Sequence, residues 1–86
     1  MLTKEKIEDK VIRIIKNNLN LGSDADKLTK FDNLEYWGIN SILFVKLVVA
    51  FEEEFGIEFD DDDLYFENFK KISDLVDYLY ERIQNS

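Results

Sequence analysis

The fifteen residues between Asn40 and Gly56, SILFVKLVVAFEEEF, constrain this chain more than any other stretch. Phe44, Leu47, Val48, Phe51 and Phe55 recur at i, i+3, i+4, i+7 and i+11, the spacing of one helix face. Asn40 offers a side-chain oxygen to the free N–H groups of a helix start. With Asn40 as the cap, Ile39 and Phe44 take the flanking positions of a hydrophobic staple. Gly56 suits the left-handed residue that ends a helix. The pattern predicts a helix over Ser41–Phe55 with both ends defined.

That helix carries a second apolar set. Ile42, Val45 and Val49 recur at i, i+3 and i+7 on a different side, beside Leu43. A surface helix with one buried face would place polar residues there. Either the helix is central and buried nearly all round, or these side chains form a contact patch. In so small a chain the patch is the favoured expectation. Covering each side chain would contribute up to roughly 1.5–3 kcal/mol. Less the cost of association, three of them suit a weak, reversible docking surface.

The rest of the pattern is also helical. Ile7, Val11, Ile14 and Ile15 predict a helix from about Lys4 to Asn18, with Thr3 as its cap and Glu5 and Glu8 near the positive end of its dipole. Asn17, Asn18, Asn20 and Gly22 stop it. From Leu19 to Asn40 turn formers alternate with Leu21, Leu28, Phe31, Leu34 and Trp37, expected to pin a long loop to the core. Asp60 to Asp63, followed by Leu64, Tyr65 and Phe66, suggests a short helix with an acidic start. Ile72, Leu75, Val76, Leu79 and Ile83 form the final stripe, with Asn68 or Ser73 as its cap and Arg82 near its negative end. The fold class is all-α: three longer helices and one short one, with a long loop between helices 1 and 2.

Composition narrows the chemistry. Eighty-six residues make one domain, 1–86. Cysteine and histidine are absent, so disulfides, Ser–His and Cys–His catalysis are excluded, and so are the commonest metal ligands. The core must be built from the apolar 45%. A net charge of −8 opposes binding to nucleic acid or to an anionic membrane and favours a basic protein surface. No apolar run matches a signal peptide or a membrane span, so a soluble, cytoplasmic protein is expected; a monomer is a separate expectation.

Ser41 sits at the junction of the long loop and the strongest helix, where free N–H groups favour an attached anion. Serine is also an ordinary residue at a helix start, and alone it decides nothing. Residues 38 to 59, GINSILFVKLVVAFEEEFGIEF, closely resemble the central segment of acyl and peptidyl carrier proteins, in which a Gly-x-Asp-Ser-Leu type motif precedes a helix ending in Glu-Glu-Glu-Phe-Gly-Ile. At lower specificity the resemblance extends over the whole chain, through to Asp77, Tyr78 and Leu79.

The resemblance implies a four-helix carrier that is not an enzyme. Ser41 would receive 4′-phosphopantetheine from coenzyme A through a separate phosphopantetheinyl transferase using magnesium. The thiol of that arm would carry acyl or aminoacyl groups as thioesters between loading and downstream processing enzymes. Such partners recognise mainly the modified helix and its flanking loop, which here means Asn40, Ile42, Leu43, Val45, Lys46 and Val49.

Two departures stand out. Asn40 replaces the usual Asp, and Leu43 and Lys46 stand where fatty-acid carriers have acidic residues. The early helix surface looks more like carriers of nonribosomal peptide, polyketide or accessory pathways, with fatty-acid synthesis as the alternative.

Other signals carry less. A calcium loop starting at Asp60 would need an oxygen ligand and a glycine where Leu64 and Tyr65 stand. Glu52, Glu53 and Glu54 point about 100° apart and read as a solvated helix end. Trp37 reads as a loop anchor, or as an exposed indole near Ser41, and Tyr78 and Tyr80 as packing residues. An unmodified helical adaptor, tolerant of Ser41→Ala, and a cation-responsive module are the competing functions.

Overall fold

In the computed structural model, residues 3–19, 27–60 and 65–85 are described. They form three α-helices, α1 (Lys4–Leu19), α2 (Ser41–Phe55) and α3 (Ile72–Gln84), with 3₁₀ turns at Glu35–Trp37 and Phe66–Asn68. No strand is present among the described residues, only one isolated bridge between Asn33 and Lys71. The all-α expectation holds. Leu21, Gly22 and Asp61 to Leu64 lie outside the described residues; of the rest of the expected short helix, Asp60 and Tyr65 are not helical and Phe66 opens a 3₁₀ turn over Phe66–Asn68.

The periodic residues form the core. Ile7, Val11 and Ile15 of α1 are buried, as are Phe44, Leu47, Val48 and Phe51 of α2 and Ile72, Leu75, Val76 and Leu79 of α3. Ile14, Phe55 and Ile83 are half-buried. Thr3 caps α1, its hydroxyl accepting from the Lys6 N–H at 3.2 Å. Asn18 closes the other end by donating to the Ile14 carbonyl at 2.8 Å.

Between α2 and α3 lies an aromatic seam supplied largely by the connecting segment. Phe44 meets Phe69 and Phe66 at centroid distances of 5.3 and 5.4 Å, and Phe59 meets Phe69 at 6.4 Å. Tyr78 of α3 contacts Phe59 at 4.8 Å and Phe69 at 5.5 Å, as its packing role requires. Phe59 and Phe69 follow no helical period, so periodicity alone does not place them in the core.

Three expectations are corrected. Phe31 is 71% exposed and pins nothing, whereas Leu28 and Leu34 are buried as expected. Neither Asn68 nor Ser73 caps α3. Its cap position is Lys71, and the Asp74 carboxylate accepts from the N–H groups of Lys70 and Lys71 at 3.1 and 3.0 Å. The Ser73 N–H instead donates to the Lys30 carbonyl at 2.7 Å. The third concerns Glu52, which is not merely solvated. It accepts from the Phe59 N–H at 2.9 Å and ties the chain reversal after Gly56 back to α2.

Candidate functional site at the head of the second helix

Short-range hydrogen bonds build the frame in front of Ser41. Asp32 accepts from the Thr29 N–H at 2.7 Å, and the Asn33 side chain accepts from the N–H groups of Glu35 and Tyr36 at 2.8 and 3.3 Å. These side chains stand in for backbone turns, which is why Asp and Asn recur there. The frame is then fixed to the start of α3: Leu34 donates to the Lys70 carbonyl at 2.8 Å and Ile72 to the Asp32 carbonyl at 3.1 Å. Leu34 and Ile39 are both buried and joined by a 3.1 Å backbone bond. The part of the long loop that precedes Ser41 is therefore anchored to the core and to α3.

Gly38 makes the turn. Its φ of +85° lies in the left-handed region, where a side chain is strained although nothing stands within 4 Å of an added Cβ. Ile39 and Phe44, which hold the two flanking positions of the staple, are both buried. Asn40, extended at φ −106° and ψ −177°, caps α2 by accepting from the Leu43 N–H at 2.8 Å.

Ser41 is the first residue of α2 and is exposed. The N–H groups of Ser41 and Ile42 have no partner among the described residues, as expected of the first turn. A negative group attached to the Ser41 oxygen would meet those N–H groups and the positive end of the helix dipole. No hydrogen bond to the Ser41 hydroxyl is present among the described residues. The geometry suits an acceptor of a modification.

The other candidate residues gather around it. Ile42, Val45 and Val49 are 81%, 58% and 49% exposed, so α2 is not buried all round. Asn40 and Lys46 are exposed, and Leu43 is half-buried against the core. Sequence reasoning missed Tyr36, which is 82% exposed five residues before Ser41, with its ring edge-on to Trp37 at 5.9 Å. The signal was available. From Tyr36 to Phe51 the only charged residue is Lys46, in a chain whose residues are 35% charged. Trp37 itself is half-buried, with its indole nitrogen enclosed, so it is an anchor rather than an exposed ring.

Charge is concentrated beyond this stretch. Glu54 pairs with Lys10 at 2.9 Å, and that ammonium holds its carboxyl below the usual range. No cluster of three possible metal ligands occurs among the described residues, and Asp61 to Asp63 lie outside them. Among the described residues no helix is long and apolar enough to cross a membrane.

The chain is similar to known proteins along most of its length. The sequence model of the family described as phosphopantetheine attachment site matches residues 9–79. An acyl carrier protein of Nitratidesulfovibrio vulgaris (strain DP4) is 36% identical over 73 residues, covering 85% of this chain and 92% of the relative. Acyl carrier proteins of Thermotoga maritima and Akkermansia muciniphila are 36% and 38% identical, each covering 96% of this chain and 99% of the relative. A crystal structure of an acyl carrier protein from Thermotoga maritima superposes with a TM-score of 0.76 over 95% of this chain and 92% of that one. At 23% identity, that match shows a shared fold.

Proposed function

The chain belongs to the acyl carrier protein family, and on that basis we propose that Ser41 is the residue that bears its 4′-phosphopantetheine. Members of this family are carriers, not enzymes, and the covalent arm supplies the terminal thiol on which cargo is held as a thioester. The observation that carries the assignment is the position of Ser41: exposed, first in α2, and beside two unpartnered N–H groups. In the transfer, the Ser41 oxygen bonds to the phosphorus that carries pantetheine. The pyrophosphate link of coenzyme A breaks, adenosine 3′,5′-bisphosphate leaves, and the hydroxyl proton passes to the transferase.

We further propose that residues 1–86 act as a single, monomeric, cytoplasmic carrier domain. In this reading Asn40, Ile42, Leu43, Val45, Lys46 and Val49 meet the transferase and the loading and processing enzymes. The exposure of Ile42, Val45 and Val49 supports this role. The net charge of −8 argues against nucleic acid or an anionic membrane as a partner. The apolar, acid-poor first turns of α2 favour cargo of nonribosomal peptide, polyketide or similar accessory pathways over fatty-acid synthesis.

Tandem mass spectrometry of the modified chain tests the attachment site. Ejection of the arm from the peptide containing Ser41 supports the assignment, and its recovery on another serine or threonine refutes it. An unmodified adaptor would use the same patch and would tolerate Ser41→Ala. For pathway class, charging of the modified chain by an aminoacyl-adenylating enzyme is compared with charging by a malonyl transferase. Aminoacyl charging places the chain in nonribosomal peptide synthesis, whereas efficient malonylation alone excludes aminoacyl cargo and narrows the pathway to polyketide or fatty-acid synthesis.

A further inference from the structure

A groove of about 580 Å³ lies between the first turns of α1 and α3, and among the described residues nothing from α2 or the turn before it lines the groove. Its anionic lining includes Glu5 and Asp9, at i and i+4 of α1, and neither has an ion-pair partner among the described residues. Like charges at that spacing repel each other. Lys4 and Lys30 also line the groove but are engaged, with Asp77 at 2.6 Å and with Glu8 at 3.9 Å.

The apolar lining is Val76, which is buried, and Phe31, which is 71% exposed. The backbone that carries Phe31 is clamped. Its N–H donates to the Thr29 hydroxyl at 3.3 Å, and the Lys30 and Asp32 carbonyls accept from Ser73 and Ile72 at 2.7 and 3.1 Å. A single exposed ring is ordinary on a protein surface. This one is held in place beside unpaired carboxylates, so covering it requires little further ordering of the chain.

We propose that this groove docks a basic segment of a partner protein, with an arginine or lysine taken up by Glu5 and Asp9 and a neighbouring apolar side chain laid on Phe31. Charge complementarity selects that occupant. The lining carries four carboxylates against two ammoniums, both ammoniums already paired, in a chain of net charge −8 that attracts cations from a distance. A second copy of this chain, with the same net charge, is disfavoured for the same reason. The groove shares no residue with the Ser41 site, so the proposal stands apart from the assignment of that serine.

The test is an NMR titration of the full, isotope-labelled chain at physiological salt with two synthetic peptides of equal charge. One alternates arginine with leucine and the other arginine with glycine. The leucine peptide should shift the amides of Glu5, Asp9, Phe31 and Val76 and bind about fivefold or more tightly than the glycine peptide. Phe31→Ser should remove most of that preference, and Glu5→Gln combined with Asp9→Asn should weaken both peptides severalfold. Glu53→Gln combined with Glu81→Gln, on exposed residues outside the groove, makes the same change in net charge and should alter affinity by less than about twofold. Circular dichroism confirms that each variant is folded. No binding, equal affinity for the two peptides, groove variants that bind as wild type does, or shifts centred on α2 would each overturn the proposal.

Discussion

The side-chain oxygen of Asn40 lies 2.8 Å from the backbone nitrogen of Leu43, and the carbonyl of the same Asn40 accepts from Phe44 at 2.8 Å. One residue thus satisfies two N–H groups of the first turn while those of Ser41 and Ile42 stay free. The cap and the candidate attachment site divide the helix N-terminus between them. Asn40→Ala is expected to cost about 1 kcal/mol, a fall in Tm of about 4–8 °C for a domain of this size. Asn40→Asp keeps the acceptor and should hold Tm within about 2–4 °C of wild type, since surface changes that leave such a feature intact cost about 0.5 kcal/mol or less. Thermal melts of the three proteins decide it.

Phe69 and Phe31 are a matched pair of aromatic truncations. Phe69 is 4% exposed and touches the rings of Phe44, Phe59 and Tyr78, whereas Phe31 is 71% exposed. Phe69→Ala should cost about 3–5 kcal/mol, enough to unfold much of a marginal domain. Phe31→Ser should stay within about 0.5 kcal/mol of wild type. Urea unfolding, followed by the fluorescence of the single tryptophan, Trp37, measures both.

Much of this was legible beforehand, and the reasons differ by segment. The bounds of α2 follow from its apolar period, Asn40 and Gly56, and local chemistry alone settles them. The start of α3 does not. Lys71 takes the cap position because Leu34, Asp32 and Lys30 fix the backbone of residues 70 to 73, a long-range arrangement that no local pattern records. Phe59 and Phe69 are core residues without helical spacing, so their burial emerges only when the segment folds across α2. Tyr36 was overlooked as one aromatic in a polar loop, although the uncharged run that follows it marks the same surface. In the sequence, Ser41 takes its meaning from the residues around it, because serine is ordinary at a helix start; its exposure at the head of α2 is visible only in the fold.

Glu52 is the contact that sequence reasoning dismissed as solvated. Its carboxylate accepts from the Phe59 N–H at 2.9 Å in a half-buried setting. A hydrogen bond to a charged group contributes about 1.5–3 kcal/mol, toward the lower end here because the site is partly wet. Glu52→Ala should lower stability by about that amount, and Glu53→Ala, on an exposed neighbour, by almost none. Faster amide exchange at Phe59 in the Glu52 variant is the local signature.

The Lys10–Glu54 pair gives a pH dependence of known sign. Its hydrogen bond and charge lower the Glu54 pKa in the folded chain. A depressed carboxyl contributes stability that is present above its unfolded pKa and lost as pH falls through the folded value. Removing Lys10 should therefore reduce stability near neutral pH and leave it unchanged well below the carboxylate range. Both groups are exposed, so the effect is small and weakens with salt. NMR titration of Glu54 in wild type and Lys10→Ala measures it: the folded pKa should rise in the variant.

The central claim is that Ser41 makes this chain a carrier. Intact-mass spectrometry tests it most directly, after incubation with coenzyme A, magnesium and a broad-specificity phosphopantetheinyl transferase. Wild type should gain one phosphopantetheine and folded Ser41→Ala none. A gain on Ser41→Ala, or none on folded wild type while a control carrier is modified in the same tube, would contradict the account.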